Sequence, residues 1–155
     1  MIDRRTDSQG HPDRWATHAQ QVLTRSGHRS GQARRALLEL LDSQPCALSA
    51  IEIEDQLRKS KRPVARASIY RILDEFERLR LVQRVQLGQD MTRYEPIRTG
   101  EGHHHHLVCD SCGTVMPFAD QGLEDAISKL CARVPMRVAE HEIVLRGACQ
   151  VCATR

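Results

Sequence analysis

Residues 67–96 read ASIYRILDEFERLRLVQRVQLGQDMTRYEP, and the change of period inside this stretch decides the fold. Ile69, Ile72, Leu73, Phe76 and Leu79 recur at helical spacing through Leu81. They form one apolar stripe and leave Ser68, Tyr70, Arg71 and Asp74 on or near the open face. LVQRVQL, then Gly88-Gln89-Asp90, then MTRYEP follow as two short strands around a turn. Helix then hairpin predicts a winged helix-turn-helix, whose second helix enters a major groove and brings Tyr70 and Arg71 within reach of bases or phosphates. The pattern also fits a solvated amphipathic helix in a small helical domain.

Upstream, Ser49 and Glu52 form a capping-box signature that opens a short helix carrying Ile53 and Leu57. The basic stretch RKSKRPVAR (58–66) reads as the loop before the second helix. Two further stripes, Trp15-Ala19-Val22-Leu23 and Ala33-Ala36-Leu37-Leu40-Leu41, predict two preceding helices, the first ending at Gly27. Residues 1–13 are polar and without period, and are expected to be a disordered tail. The winged-helix domain then spans 14–95, and PIRTGEG (96–102) supplies a hinge. Residues 1–98 carry 18 Lys/Arg against 13 Asp/Glu, and residues 99–155 carry 5 against 7. The basic half points to an anionic partner, nucleic acid before membrane.

Residues 103–155 read as a small α+β unit. Leu107, Val108, Val115, Met116 and Phe118 are strand-like, Leu123, Ala126, Ile127 and Leu130 make a helix, and VAEHEIVLRG (138–147) alternates as a strand. With only two Phe, two Tyr and one Trp in 155 residues, apolar burial is thin and a metal cross-link would compensate. No run approaches the ~18 apolar residues of a membrane span, and the N-terminus lacks a secretory apolar core. A cytoplasmic location with no membrane partner is therefore expected, and in that reducing compartment paired cysteines suit metal better than disulfides. Cys46 and Cys131 lie outside the pairs and read as buried small hydrophobes.

The metal signal is concentrated in GHHHHLVCDSC (102–112) and CQVC (149–152). Cys109, Cys112, Cys149 and Cys152 match the closed, four-thiolate preference of a structural zinc. If 103–106 are extended, His103 and His105 point to one face and His104 and His106 to the other. Glu124 and His141 would complete the first set, suited to zinc or ferrous iron. Glu95 is the nearest partner for the second, with Cys46 as a more distant one; such a site would bridge the two domains.

From about Gly27 to Cys152 the chain resembles the ferric uptake regulator (Fur) family of bacterial metal-sensing repressors. The resemblance is carried by Gly27-His28-Arg29, ASIYRILDEFERLRLV (67–82), HHHHLVCDSCG (103–113), Glu124, His141 and CQVC. It implies an α+β protein with an N-terminal winged-helix DNA-binding domain and a C-terminal α/β dimerisation domain. It also implies a metal-loaded homodimer on a palindromic, AT-rich, double-stranded operator. By matching positions, the four cysteines hold structural zinc. His103, His105, Glu124 and His141 form the dimerisation-domain site, and Glu95, His104 and His106 the interdomain sensing site. Arg29, Ser68, Tyr70 and Arg71 fall on the DNA-contacting face.

The chain departs from the family pattern in Ala47, Pro117 and Gln83, where sensing ligands stand in relatives, and in Gly31 and Ala33 after Arg29. His105, in place of the Asp common in iron sensors, favours zinc as the regulatory metal, with ferrous iron or peroxide sensing as the alternatives. An enzyme is not expected: the chain has neither HExxH nor a His-x-Glu preceding Pro-Cys-x-x-Cys. A thiol redox switch would need an accessible thiolate of low pKa in the Cys-x-x-Cys pairs.

Overall fold

The computed structural model describes residues 14–29, 31–87, 92–98 and 104–154. The tail 1–13, the turn at Gly88–Asp90, most of the hinge, and His103 lie outside the described residues. The chain divides into two compact units between residues 99 and 100.

The first unit is four helices and a hairpin: α1 (Arg14–Arg25), α2 (Gln32–Asp42), α3 (Ala50–Lys59), α4 (Arg66–Arg78), β1 (Val82–Gln86) and β2 (Thr92–Pro96). The apolar stripes meet in one core that contains Trp15, Leu37, Leu41, Ile53, Leu57, Ile69, Leu73 and Phe76. Burial of each large side chain here is worth about 1.5–3 kcal/mol. The indole of Trp15 donates to the Leu81 carbonyl at 3.0 Å, tying α1 to the chain between α4 and β1. α1 ends in a left-handed Gly27 (φ 77°), a conformation that glycine adopts without steric cost.

Ser49 caps α3. Its hydroxyl accepts from Glu52 N–H, and the Glu52 carboxylate accepts from Ser49 N–H at 2.8 Å. α3 runs to Lys59 and α4 starts at Arg66, so the loop is shorter than the basic stretch suggested: Arg58, Lys59 and Arg66 are helical. β1 and β2 pair antiparallel from Val82–Pro96 to Gln86–Thr92. Leu48 and Tyr94 exchange both backbone hydrogen bonds (2.9 and 2.8 Å) and anchor the wing to the helical layer.

The second unit holds β3 (His105–Cys109), β4 (Val115–Phe118), α5 (Gln121–Cys131), β5 (Val144–Gly147) and a short α6 (Gln150–Ala153). The sheet order is β4-β3-β5, with β4 antiparallel and β5 parallel to the central β3. Only Val144–Gly147 of the alternating 138–147 stretch is strand, because β3 is only five residues long and pairs with β5 through four of them. Among the described residues of this unit, only His105, His106, Val108 and Cys109 are buried. Cys131 is half-buried at the end of α5 rather than a core residue. Among the described residues, no helix is long and apolar enough to cross a membrane.

Candidate metal centres and nucleic-acid face

β3 delivers both metal sets. Its C-terminal residue, Cys109, turns into a knuckle in which Gly113 (φ 72°) takes the left-handed conformation and Gly113 N–H donates to the Cys109 carbonyl at 2.9 Å. The turn returns Cys112 toward Cys109, while parallel β5 carries the chain to Cys149 at the start of α6 and Cys152 one turn later. The four sulfurs lie within 4.8 Å of one another, and Cys112 Sγ is 3.8 Å from Cys149 Sγ. A tetrahedral zinc with Zn–S bonds of about 2.3 Å requires S···S edges of about 3.8 Å. The donors therefore fit zinc, which would cross-link β3 to the last segment of the chain.

The thiols differ in acidity. Cys149 N–H donates to Cys109 Sγ at 3.3 Å. That bond, then one from the Cys112 backbone, holds the Cys109 thiol down to about 6. The Thr114 hydroxyl, 3.1 Å from Cys112 Sγ, lowers Cys112 as well. Cys152 is pushed up to about 12, first by its hydrogen bond with Cys149 and then by one with Cys112, because a thiol proton shared with neighbouring sulfurs is held more tightly. The cluster thus has an anionic end ready for a cation, as thiolate ligation requires.

His105 stands at the opposite end of β3 from Cys109, and alternation turns it to the other face from His106. Its ring is buried, Nε2 lies 2.7 Å from Glu124 Oε1, and His141 Nε2 lies 3.1 Å from Glu124 Oε2. Glu124 sits in the first turn of α5, which Asp120 caps by accepting from Leu123 N–H at 2.8 Å. Ile143 N–H donates to His105 Nδ1 at 3.3 Å, so the neutral ring carries its proton on Nε2 and donates it to Glu124. The donor atoms of His105, Glu124 and His141 all lie within 4.8 Å. Two imidazoles and a carboxylate suit zinc or ferrous iron. A tetrahedral ion with bonds of about 2.0–2.1 Å needs donor separations near 3.4 Å, so the 2.7 and 3.1 Å spacings would both have to open as the Nε2 proton leaves. His103 lies outside the described residues.

His104 and His106 meet edge to face, with ring centroids 5.1 Å apart, and His106 Nδ1 lies 3.8 Å from Glu142 Oε1. Glu95 in β2 is buried and accepts from Gln83 Nε2 at 2.6 Å across the hairpin. Cys46 is buried in the first unit.

On the first unit, α4 exposes Tyr70 and Arg71, and Arg71 donates to Ser68 Oγ at 3.1 Å. Arg29 is exposed, and its carbonyl accepts from Arg34 at 2.9 Å. Two polar groupings are not evident from periodicity. Glu75 is buried on α4 and takes a two-pronged bond from Arg34 (2.7 and 2.8 Å), with His28 3.4 Å away. Arg93, also buried, bonds Glu52 at 2.7 Å and the Ala47 carbonyl at 3.1 Å. The only trace of either in the sequence is a charged residue at the margin of an apolar stripe or strand face.

The ferric uptake regulator family model matches residues 25–146, and the chain belongs to that family. Its members are metal-responsive transcription regulators and not enzymes. The ferric uptake regulation protein of Legionella pneumophila is 32% identical over 133 residues, covering 85% of this chain and 96% of that one. The Bacillus subtilis protein of the same name is 28% identical over 73% of this chain and 76% of its own. Among solved structures, the Vibrio cholerae ferric uptake regulator superposes with a TM-score of 0.72 at 29% identity, covering 83% of this chain and 98% of that one. The Helicobacter pylori ferric uptake regulator, described as having three functional metal-binding sites, shares the fold with a TM-score of 0.77 at 21% identity over 93% and 95% of the two chains.

Proposed function

We propose that the chain is a zinc-responsive repressor that binds a palindromic, AT-rich operator as a metal-loaded homodimer. The observation that carries this reading is the allocation of β3: one strand supplies Cys109 to the four-thiolate cluster and His105 to the His–Glu–His set. The thiolate cluster, closed by four protein ligands, is structural zinc. The dimerisation-domain site is His105, Glu124 and His141, with His103. Sensing falls to Glu95, His104 and His106, the donors that neither of the other sets uses.

Homodimerisation is supported by the second unit's lack of an apolar core together with its exposed apolar side chains: Leu130, Val134, Met136, Val138, Leu145 and Val151 are 36–73% exposed. β5 is an edge strand. A two-fold pairing through that edge and α5 would cover both liabilities, and a two-fold dimer calls for a palindromic site. Leu145→Glu is then expected to give a monomer in sedimentation. DNA contact belongs to Arg29, Ser68, Tyr70 and Arg71, which lie on or beside the outward side of α4 and in the loop before α2.

Zinc is favoured over iron because His105 replaces an oxygen donor with nitrogen, and because both proposed centres accept zinc. The names of the curated relatives support iron as the second reading. Titration of operator binding against buffered zinc and ferrous iron, after the labile metal is stripped, tests both. Tighter binding at lower free zinc than free iron is expected, and His106→Ala should lose the response while retaining the thiolate-bound zinc. Affinity indifferent to zinc, iron and manganese overturns the reading.

A further inference from the structure

The recognition face stops at Ser68, but the surface beside it continues into a cleft of about 730 Å³ lined by the start of α2, the α3–α4 turn and the start of α4. Arg35, Lys61 and Arg62 line it, with Gln32, Ala65 and Ser68. No carboxylate is among the described residues that line it. Glu39, outside the lining, pairs with Arg62, which leaves Arg35 and Lys61 as its principal cations. Both are exposed.

Lys61 also occupies a left-handed backbone conformation (φ 58°). It closes α3 with bonds from Lys61 N–H to the Arg58 carbonyl and from Arg62 N–H to the Leu57 carbonyl (3.1 and 2.9 Å). Glycine is the residue that such a position ordinarily favours, since a Cβ is strained there. A lysine held at that cost, with its ammonium at the rim of an acid-free cleft, points to a role for the side chain. Ser68 joins this cleft to the reading face, because its hydroxyl accepts from Arg71.

We propose that the Arg35–Lys61 cleft binds two neighbouring backbone phosphates of duplex DNA, one at each cation, flanking the groove that α4 enters, and so sets the register of α4 on the operator. The inference rests on the DNA-binding reading above. A contact of this kind supplies affinity without sequence information, and each phosphate neutralised contributes about 0.9 to the slope of log K against log salt.

The test uses the full-length, metal-loaded protein on an operator duplex and an unrelated duplex across a salt series. Lys61→Gly removes the cation and the strain together. Its melting temperature should be unchanged or higher while binding to both duplexes weakens in parallel, with the salt slope reduced by about 0.9. Adding Arg35→Gln should reduce the slope by about 1.8, since each residue meets its own phosphate. The ratio of operator to unrelated binding should hold, whereas Arg71→Ala should lower that ratio. A Lys61→Gly protein that melts normally and keeps the wild-type affinity and slope overturns the proposal. So does one that loses operator preference alone. Wild-type protein that binds neither duplex would instead overturn the DNA-binding reading itself.

Discussion

At the scale of single residues, the thiolate cluster shows how identical side chains acquire different chemistry. Cys109, reached by backbone N–H donors, sits at about 6, and Cys152, among other sulfurs, at about 12. An ordinary thiol titrates near 8.5. A folded value below the unfolded one means that the folded state favours the thiolate of Cys109. Its contribution to stability in the metal-free protein is therefore complete above about pH 8.5 and is lost as pH falls through about 6. Thiolate absorbance of metal-free protein should show one titration near pH 6 that Cys109→Ser abolishes. Zinc binding near neutral pH should release fewer than four protons, as read by calorimetry in buffers of different ionisation enthalpy.

At the scale of elements, Glu52 has two tasks. It completes the capping box of α3 with Ser49 and it pairs with buried Arg93 from β2. Ser49→Ala removes one cap and should cost about 1 kcal/mol. Glu52→Ala should cost roughly 2 kcal/mol, because it removes both half of the capping box and the carboxylate paired with buried Arg93. This is below the 3–5 kcal/mol of a fully buried broken pair, since Glu52 is half-exposed. Chemical denaturation of the two variants checks the order; equal losses would show that the Arg93 pair contributes nothing. The cap was legible in the sequence because it is a local four-residue pattern. The Arg93 pair was not, because its partners are 41 residues apart.

At the scale of the whole molecule, the two units have different sources of stability. The first has an apolar core spanning α1 to β2. The second has four buried residues among those described, three of which are histidine or cysteine. Structural zinc is worth about 10–16 kcal/mol in small thiolate-bound domains, more than so thin a core supplies. Stripping zinc with a strong chelator should therefore lower the melting temperature of the second unit steeply while that of the helical first unit, read by circular dichroism, stays unchanged. Loss of all helix in one step would contradict this division.

The winged helix, the separate α+β unit and the sorting of donors along β3 follow from sequence alone, because period, caps and Cys-x-x-Cys spacing are short-range patterns that backbone geometry converts directly into faces and turns. The tertiary structure decided what depends on distant partners. It buried Glu75 beneath Arg34, shortened the last strand to the length its neighbour can pair, and opened a cleft beside Lys61. Each of these depends on which surfaces meet once the apolar stripes are buried, and no local pattern in the chain records that meeting.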